Sequence, residues 1–530
     1  MNVVFVTLYD HYAHGARSLA AALERAGHHA RLINFKRFEW RPIEREDHDH
    51  RRRITGGGHM PVFEVRPFYD IVCPYPAEVS DAERELLVER VGQVDPDVIG
   101  FSLTSAHLPL ARELSGLLRR RFPKARQLWG GIYPTMDPVG ALQHADAVCV
   151  GEGEEALLEW LGDLNRTDVA NFHFRTAGGD HISNPLRPLI QDLDSLPYPA
   201  YGQDECLIDD GRCLGFDQLD PGHVADMIIL TSQRGCPFAC TYCLHGNLVE
   251  MYPGQRYLRR KSVDRFIAEI QDRVSRFPMF PSLTFWDDIF MIGPSWIEEF
   301  SDKFPGRVGR PFGGYAHPRS TTRAIMERLK GAGAAHIVIG IQSASEYIAR
   351  EIYNRHIETE RFVRFGRDMA EVGFDKIAYE LLSRCPFERE EDLRQTVLLL
   401  AAMPKGVKVN IKQLVFFPFT RINEVDKPRV DLDPRLYHFY EMLYLLAVQP
   451  GFDPALLGAL VDDAHLRAHP ELVEQWVRQL ARAAEEKQYL EGRLRELERT
   501  MPWGVRRAAA HLVGQLRNRI PGVRRAAIHS

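Results

Sequence analysis

Twice along this chain a short apolar run is followed by a turn and then by a segment with helical periodicity. Strands and helices that alternate in this way have few solutions, because each strand must find a parallel neighbour and each helix must cover the sheet. The first series opens with VVFVTL, ARSLAAALERAG and ARLINF within residues 1–35. It resumes at residue 81 with AERELLVERVGQ, DVIGFSL, HLPLARELSGLLRRRFP, QLWGG and DAVCVGEGE. Ligands of such sheets bind beyond the carboxyl ends of the strands. Those ends, at 7–14, 102–105, 130–135 and 151–154, are small, glycine-rich or hydroxylic, which lets a bulky ligand approach the backbone.

The second series holds the strand patterns DMIILTS, SLTFWD, PFGGYA, AHIVIGI, KIAYELL and VNIKQLVF, with helical patterns between them. Six β/α units in series predict an incomplete barrel with its site at the strand ends. The reading is thus an α/β chain with four regions: a Rossmann-like, flavodoxin-like sheet at 1–165, a turn-rich linker at 166–225, a partial (β/α)6 barrel at 226–425, and a helical region at 426–530. Residues 36–80, with EREDHDHRRR and TGGGH, read as an irregular charged insertion, and His48, His50 and His59 as part of a solvated loop rather than metal ligands.

The net charge of -5 over 530 residues argues against bulk nucleic-acid affinity, and no nucleic-acid partner is expected. No 18-residue uncharged apolar run is present, and the N-terminus lacks a basic leader, so a cytoplasmic chain with reduced thiols is expected. Of eight cysteines, Cys73, Cys149, Cys206, Cys213 and Cys385 are scattered and read as buried or incidental thiols.

The other three, Cys236, Cys240 and Cys243, lie in GCPFACTYC directly after the first strand of the second series. The spacing is C-x3-C-x2-C. Three thiolates on one short loop suit three irons of a [4Fe–4S] cubane, and the fourth iron keeps an open position. The alternative is a zinc site built from the same cysteines and His245.

CPFACTYC after a barrel strand resembles the signature of the radical S-adenosylmethionine (SAM) superfamily. The sheet with GGIYPT and GEGE, DLDSLPYPA before the barrel, and YNRHIETE after GIQSASE are similar to its cobalamin (B12)-binding branch. The resemblance covers roughly residues 1–420. It implies three cofactors: a [4Fe–4S] cluster on Cys236, Cys240 and Cys243, SAM on the open iron, and cobalamin on the first sheet. It places Tyr242 near the adenine, Asp287 and Asp288 of FWDDIF at the SAM amino group, and Gln342 and Ser343 at its ribose or carboxylate. It assigns cobalamin to Tyr9, His11, His14, Gly15, Ser102, Thr104, Ser105, Gly130, Gly131, Tyr133, Thr135, Gly151, Glu152, Gly153 and Glu154. The D-x-H-x-x-G element that supplies an axial histidine elsewhere is absent; the nearest stretch, around His11 and His14, has the wrong spacing. Base-off cobalamin without a protein ligand is therefore implied.

The same resemblance implies a methyltransferase that acts on an unactivated carbon through a 5′-deoxyadenosyl radical and methylcobalamin. The alternatives are a cyclase or ring-rearrangement enzyme with the same cofactors, and a non-catalytic cobalamin sensor. It implies a small-molecule or lipid-linked substrate and a reductase or flavodoxin-type electron donor. Arg384 and Cys385 stand where relatives carry small residues, and a thiol there is a candidate hydrogen-atom donor, though a packed thiol is the simpler reading. Tyr315, His317 and Tyr379 lie near strand ends and are candidates for substrate contact or packing. After Thr500 six arginines lie among apolar residues with no acid, a basic amphipathic tail that reads as a helical cap or a peripheral membrane contact.

Overall fold

The computed structural model describes residues 1–10, 12–42, 61–65, 71–175, 178–202, 204–219, 228–278 and 282–500. His11, His48, His50, His59 and the tail after Thr500 lie outside the described residues. The strands are β1 (Asn2–Leu8), β2 (His29–Phe35), β3 (Phe38–Pro42), β4 (Pro61–Val65), β5 (Ile71–Pro76), β6 (Val98–Ser102), β7 (Arg126–Gly130), β8 (Ala147–Cys149), β9 (Phe172–Arg175), β10 (His181–Ser183), β11 (Glu205–Asp209), β12 (Arg212–Gly215), β13 (Gln233–Arg234), β14 (Arg259–Arg260), β15 (Leu283–Phe285), β16 (Phe312–Ala316), β17 (Ala334–Gln342), β18 (Lys376–Ser383) and β19 (Lys408–Gln413).

The first sheet runs β10-β9-β8-β7-β6-β1-β2-β11-β12. Its central strands β8-β7-β6-β1-β2 are parallel, in the flavodoxin-like order with a switch point between β1 and β6. Val3, Val4, Phe5 and Val6 are all buried, as expected of strands covered by helices on both faces. Residues 166–225, read above as linker, also extend this sheet. Strand β9 adds antiparallel to β8 and β10 antiparallel to β9, β11 adds parallel to β2, and β12 pairs antiparallel with β11. These strands are short and interrupted by turns, so their local pattern resembles a linker until a sheet edge is present to pair with.

The second sheet runs β15-β16-β17-β18-β19-β4-β5-β3. Its first five strands are parallel, and Leu230 adds a parallel bridge to Phe285 at the outer edge, in place of a full first strand. The insertion at 36–80 was expected to be irregular. Instead β4 pairs antiparallel with β19, Phe63 opposite Ile411, and β5 and β3 continue the sheet. The pairing partner lies near the other end of the barrel sequence, and no local period reveals it.

Helix Pro434–Ala447 is buried along almost its whole length in the barrel's core, and helix Pro470–Thr500 packs over it. No helix among the described residues is long and apolar enough to cross a membrane.

Candidate cofactor and active site

The carboxyl ends of β1, β6, β7 and β8 open into one cavity of about 330 Å³. His14 and Gly15, Ser102, Gly130, Gly131 and Thr135, and Gly151, Glu152, Gly153 and Glu154 line it. The cavity continues as an apolar slot beside Phe5, Leu19, Gly100, Leu128 and Leu157. Two glycines keep it open. Gly131 has φ +95°, and a Cβ there would sit 2.8 Å from the Leu103 nitrogen. Gly151 has φ +76°, and a Cβ there would overlap the Tyr252 hydroxyl. Both backbones are in the region that favours glycine.

The opposite wall comes from the barrel. Gly235, which precedes Cys236, and Leu244, which follows Cys243, both line the cavity, with Tyr252 and Tyr257. The cysteine loop is therefore one wall of the cavity formed by the first sheet.

An ion-pair network holds this juxtaposition. Arg234 donates to Glu152 at 2.9 Å and to Glu154 at 2.5 Å, and Arg259 donates to Glu152 at 2.8 Å. Glu152 also accepts from the Ile190 backbone nitrogen at 2.8 Å. Burial alone would raise the Glu154 carboxyl, but Arg234 more than reverses this and holds it below the usual carboxylate range. Glu152 and Glu154 thus serve as clamps between the edge of the first sheet and the β13–β14 ribbon, a use their sequence pattern did not reveal. His14 adds a neutral contact, its Nε2 lying 3.2 Å from Thr231 Oγ1. Burial, aided by Lys261 and Arg234, lowers its pKa to about 3, and its Nδ1 is buried without a hydrogen-bond partner.

Cys236, Cys240 and Cys243 are free thiols. Gly235 enters their loop at φ +94°, where a Cβ would lie 2.5 Å from the Tyr257 carbonyl oxygen. Among the described residues no three His, Cys, Asp or Glu side chains converge on a single-metal geometry. A zinc site requires that convergence, whereas a cubane takes each thiolate on a separate iron. His245 is also committed elsewhere: Nε2 lies 3.0 Å from Asp288, and Nδ1 lies 2.9 Å from the Tyr257 hydroxyl. The geometry favours the cluster over zinc.

Asp287 and Asp288 have different environments. Asp287 is buried, and its carboxylate accepts from Ser232 N at 2.7 Å, Ser232 Oγ at 2.7 Å and Gln233 N at 2.8 Å. Burial raises its pKa to about 6. Its oxygens tie down the entry to the cysteine loop, while Asp288 is partly exposed and faces His245. Tyr242 packs edge-on against Tyr353 with ring centroids 4.9 Å apart, and Ser343 is buried. Gln342 takes a left-handed backbone at φ +68°, at an irregularity in the β17–β18 pairing.

Four residues assigned to cobalamin stand away from the cavity lining: Tyr9, which bonds the Ala77 carbonyl at 2.7 Å; Thr104, 3.4 Å from His107; Ser105; and Tyr133, which bonds Asp137 at 3.1 Å. His317 braces the cysteine loop, stacking on Phe238 at 3.9 Å. Tyr379 is fully buried packing on the helix side. Cys385 is fully buried beside Tyr353 and Phe387, and Arg384 is held by Glu441 at 3.0 Å.

Sequence reasoning passed over Arg355, although YNRHIETE contains it. Arg355 is buried beside Cys240, donates to the Gly340 carbonyl, lies 3.5 Å from the Tyr242 hydroxyl, and has an Nε with no partner. A buried cation without a carboxylate suits the negative charge of three thiolates. YNRHIETE is mostly polar, and nothing local in it marks Arg355 as the buried charge. Tyr252, Tyr257 and Arg259 carried no local signal either.

Comparison with known proteins agrees with this geometry. The B12 binding domain family matches residues 70–161, and the Radical SAM superfamily matches residues 230–400. The chain is 23% identical over 320 residues to an uncharacterized methyltransferase of Pyrococcus horikoshii, covering 59% of this chain and 65% of that protein. It is 33% identical over 178 residues to an anaerobic magnesium-protoporphyrin IX monomethyl ester cyclase of Synechocystis, covering 31% and 32%. The alignments thus span from about a third to under two thirds of these relatives' lengths. In fold it is similar to the radical SAM methyltransferase TsrM of Kitasatospora setae, solved with cobalamin and a [4Fe–4S] cluster. The TM-score is 0.59 at 14% identity, covering 90% of this chain and 99% of that one. OxsB, a cobalamin-dependent SAM radical enzyme, superposes at a TM-score of 0.54 and 15% identity, covering 81% and 55%.

The chain thus carries a B12 binding domain and a radical SAM domain. The solved structures it resembles in fold hold cobalamin with a [4Fe–4S] cluster or with SAM, and the cofactors of the two domains are that cluster, SAM and cobalamin. The residues present fit the cluster and cobalamin: the free cysteine triad beside Arg355, and the glycine-lined cavity with its apolar slot.

Proposed function

We propose that this protein is a cobalamin-dependent radical SAM methyltransferase acting on an unactivated carbon. The carrying observation is that one cavity is walled on one side by the strand ends of the first sheet and on the other by residues flanking the cysteine triad. When bound, the cluster with SAM supplies hydrogen-atom abstraction from carbon, and methylcobalamin supplies the methyl group. The chain's own part is placement. Cys236, Cys240 and Cys243 hold the cluster and Arg355 balances its charge. Asp287 fixes the strand end that leads into the loop. Arg234 and Arg259 hold the loop against the cavity, and Gly131 and Gly151 leave room for a large ring. Tyr252, Tyr257, Leu244 and Leu248 exclude water from the side facing the barrel.

Similarity to a monomethyl ester cyclase favours a second reading, cyclisation with the same cofactors. The substrate is a small or lipid-linked molecule, a flavodoxin-class reductant supplies the electron, and the tail after Thr500 is a helical cap on the barrel or, in the alternative, a contact to an anionic membrane. Co-sedimentation with anionic vesicles, compared before and after truncation at Thr500, tests the last point.

The deciding experiment uses anaerobically reconstituted protein with iron, sulfide and hydroxocobalamin. About four irons and one cobalt per chain are expected, with 5′-deoxyadenosine and S-adenosylhomocysteine formed after reduction in the presence of SAM and substrate. Deoxyadenosine without S-adenosylhomocysteine or methyl transfer from labelled SAM would favour cyclisation, and iron without cobalt would overturn both readings.

A further inference from the structure

Side chains on successive strand positions face opposite sides of a sheet. In the barrel, Phe285, Phe312, Ile337, Ile339, Tyr379, Leu381, Val409 and Ile411 belong to the core beneath the helices. Their alternates therefore face the barrel interior: Trp286, Tyr315, Glu380, Asn410 and Lys412 near the strand ends. Two features of this inner surface are unusual.

The first is aromatic. Trp286 keeps 39% of its surface exposed, among the largest exposed apolar side chains described. Tyr12, from the loop after β1, packs on it with ring centroids 5.0 Å apart, and the Tyr315 ring lies 6.3 Å from it. Both domains thus build one three-ring wall, and Tyr12 is two residues from His14, which lines the cofactor cavity. The second feature is polar. Lys412 donates to Glu380 at 2.9 Å, Glu380 lies against the Tyr315 hydroxyl, and Asn410, in register with Glu380, has a buried Oδ1 without a partner. Buried polar atoms are normally satisfied, so an orphan beside an ion pair marks a place where a ligand completes the bonding.

We propose that the barrel mouth is a substrate subsite for a planar aromatic or heteroaromatic ring bearing an amine or a carboxylate. The ring stacks on the Trp286–Tyr12–Tyr315 wall, where its quadrupole pairs with the protein's rings. The polar group replaces part of the Glu380–Lys412 pair: a carboxylate accepts from Lys412, whereas an amine donates to Glu380 and to the unpartnered Asn410 Oδ1. This deepens the proposed function and rests on the barrel mouth being where substrate meets the radical.

The test is binding, read by ligand-observed NMR on reconstituted, SAM-bound protein. The probes are 2-naphthoate against decahydro-2-naphthoate, and phenethylamine against 2-cyclohexylethylamine. The aromatic member of at least one pair is expected to bind about threefold to tenfold tighter than its saturated partner, the range that aromatic pairing supplies. Trp286→Leu should abolish that preference, Trp286→Phe should keep most of it, and Lys412→Ala should weaken the carboxylate but not the amine. Equal binding of saturated and aromatic members overturns the subsite, as does a preference that survives Trp286→Leu. Absence of binding by all four probes, with SAM still cleaved to 5′-deoxyadenosine, overturns the subsite while leaving the enzyme reading intact. Loss of SAM cleavage in fully loaded wild-type protein overturns the enzyme reading instead.

Discussion

Arg234, two residues before the first cluster cysteine, meets Glu154 at 2.5 Å, joining the β13–β14 ribbon to the edge of the first sheet. Glu154 is 8% exposed and a quarter of the Arg234 side chain remains open. Removing one partner strands the other's charge in a largely dry site. Arg234→Ala should destabilise the protein by about 3 kcal/mol, the low end for a broken buried pair because Arg234 is partly hydrated. It should also lower cobalt retention. Arg234→Lys should recover only part of both, since an ammonium lacks the fork that reaches Glu152 and Glu154 together. Urea unfolding and cobalt content after gel filtration check this.

The same pair predicts a pH dependence. The Glu154 carboxyl titrates below its ordinary range in the folded protein. Its contribution is therefore present above the unfolded value near 4.3 and lost as pH falls through the lower folded value. The stability gap between wild type and Glu154→Gln should be constant from pH 6 to pH 8, and should close in acid below about pH 4. A gap that persists unchanged in acid would show that the carboxylate's charge is not what matters.

His14 contributes in the opposite chemical sense. Burial lowers its pKa to about 3, so the unfolded chain takes up a proton first as pH falls. Stability should decline as pH drops from about 6.5, with a slope of at most about 1.4 kcal/mol per pH unit from this group. His14→Gln should remove that slope and leave stability at pH 8 nearly unchanged. Unfolding midpoints across the range measure it.

Asp287 and Asp288 should separate in mutagenesis. Asp287→Asn can keep one oxygen on the Ser232 and Gln233 backbone N–H groups, but it removes the charge and turns an amide donor toward the Ser232 hydroxyl that now donates to the carboxylate. Iron retention should fall severalfold. Asp288→Asn leaves the loop's anchor intact, so iron should be retained while SAM binding weakens. Iron analysis and SAM equilibrium dialysis distinguish the two.

Gly131→Ala should distort the strand-end loops that shape the cavity. The added Cβ meets the Leu103 backbone at 2.8 Å, in a conformation that alanine adopts at a penalty of about 1 kcal/mol or more. Cobalt content should drop sharply while iron content stays near that of the wild type, because Gly131 lies on the sheet opposite the cysteine loop.

Much of the candidate site was legible in short stretches. The cysteine spacing is confined to one loop, and strands such as VVFVTL and AHIVIGI declare themselves by their own apolar runs. The strand-end glycines could be placed because a parallel sheet brings all its carboxyl ends to one edge. Glu152 and Glu154 were located but their use was not, since their partners Arg234 and Arg259 lie far along the chain, in the β13–β14 ribbon. Arg355 was in view within YNRHIETE, yet nothing local distinguishes a buried arginine from a solvated one.

The sequence by itself determined the alternation of strands and helices, the two parallel sheets and the cysteine triad, because each depends on residues within a turn or two of one another. Only the tertiary structure decided that β3, β4 and β5 extend the barrel sheet, that two carboxylates at the edge of the first sheet clamp Arg234 and Arg259 of the two-stranded β13–β14 ribbon, and that Tyr12 completes an aromatic wall with Trp286 and Tyr315. Each of these joins segments far apart in the chain. Such contacts are selected by what the whole fold brings within reach, and no local period or propensity records them.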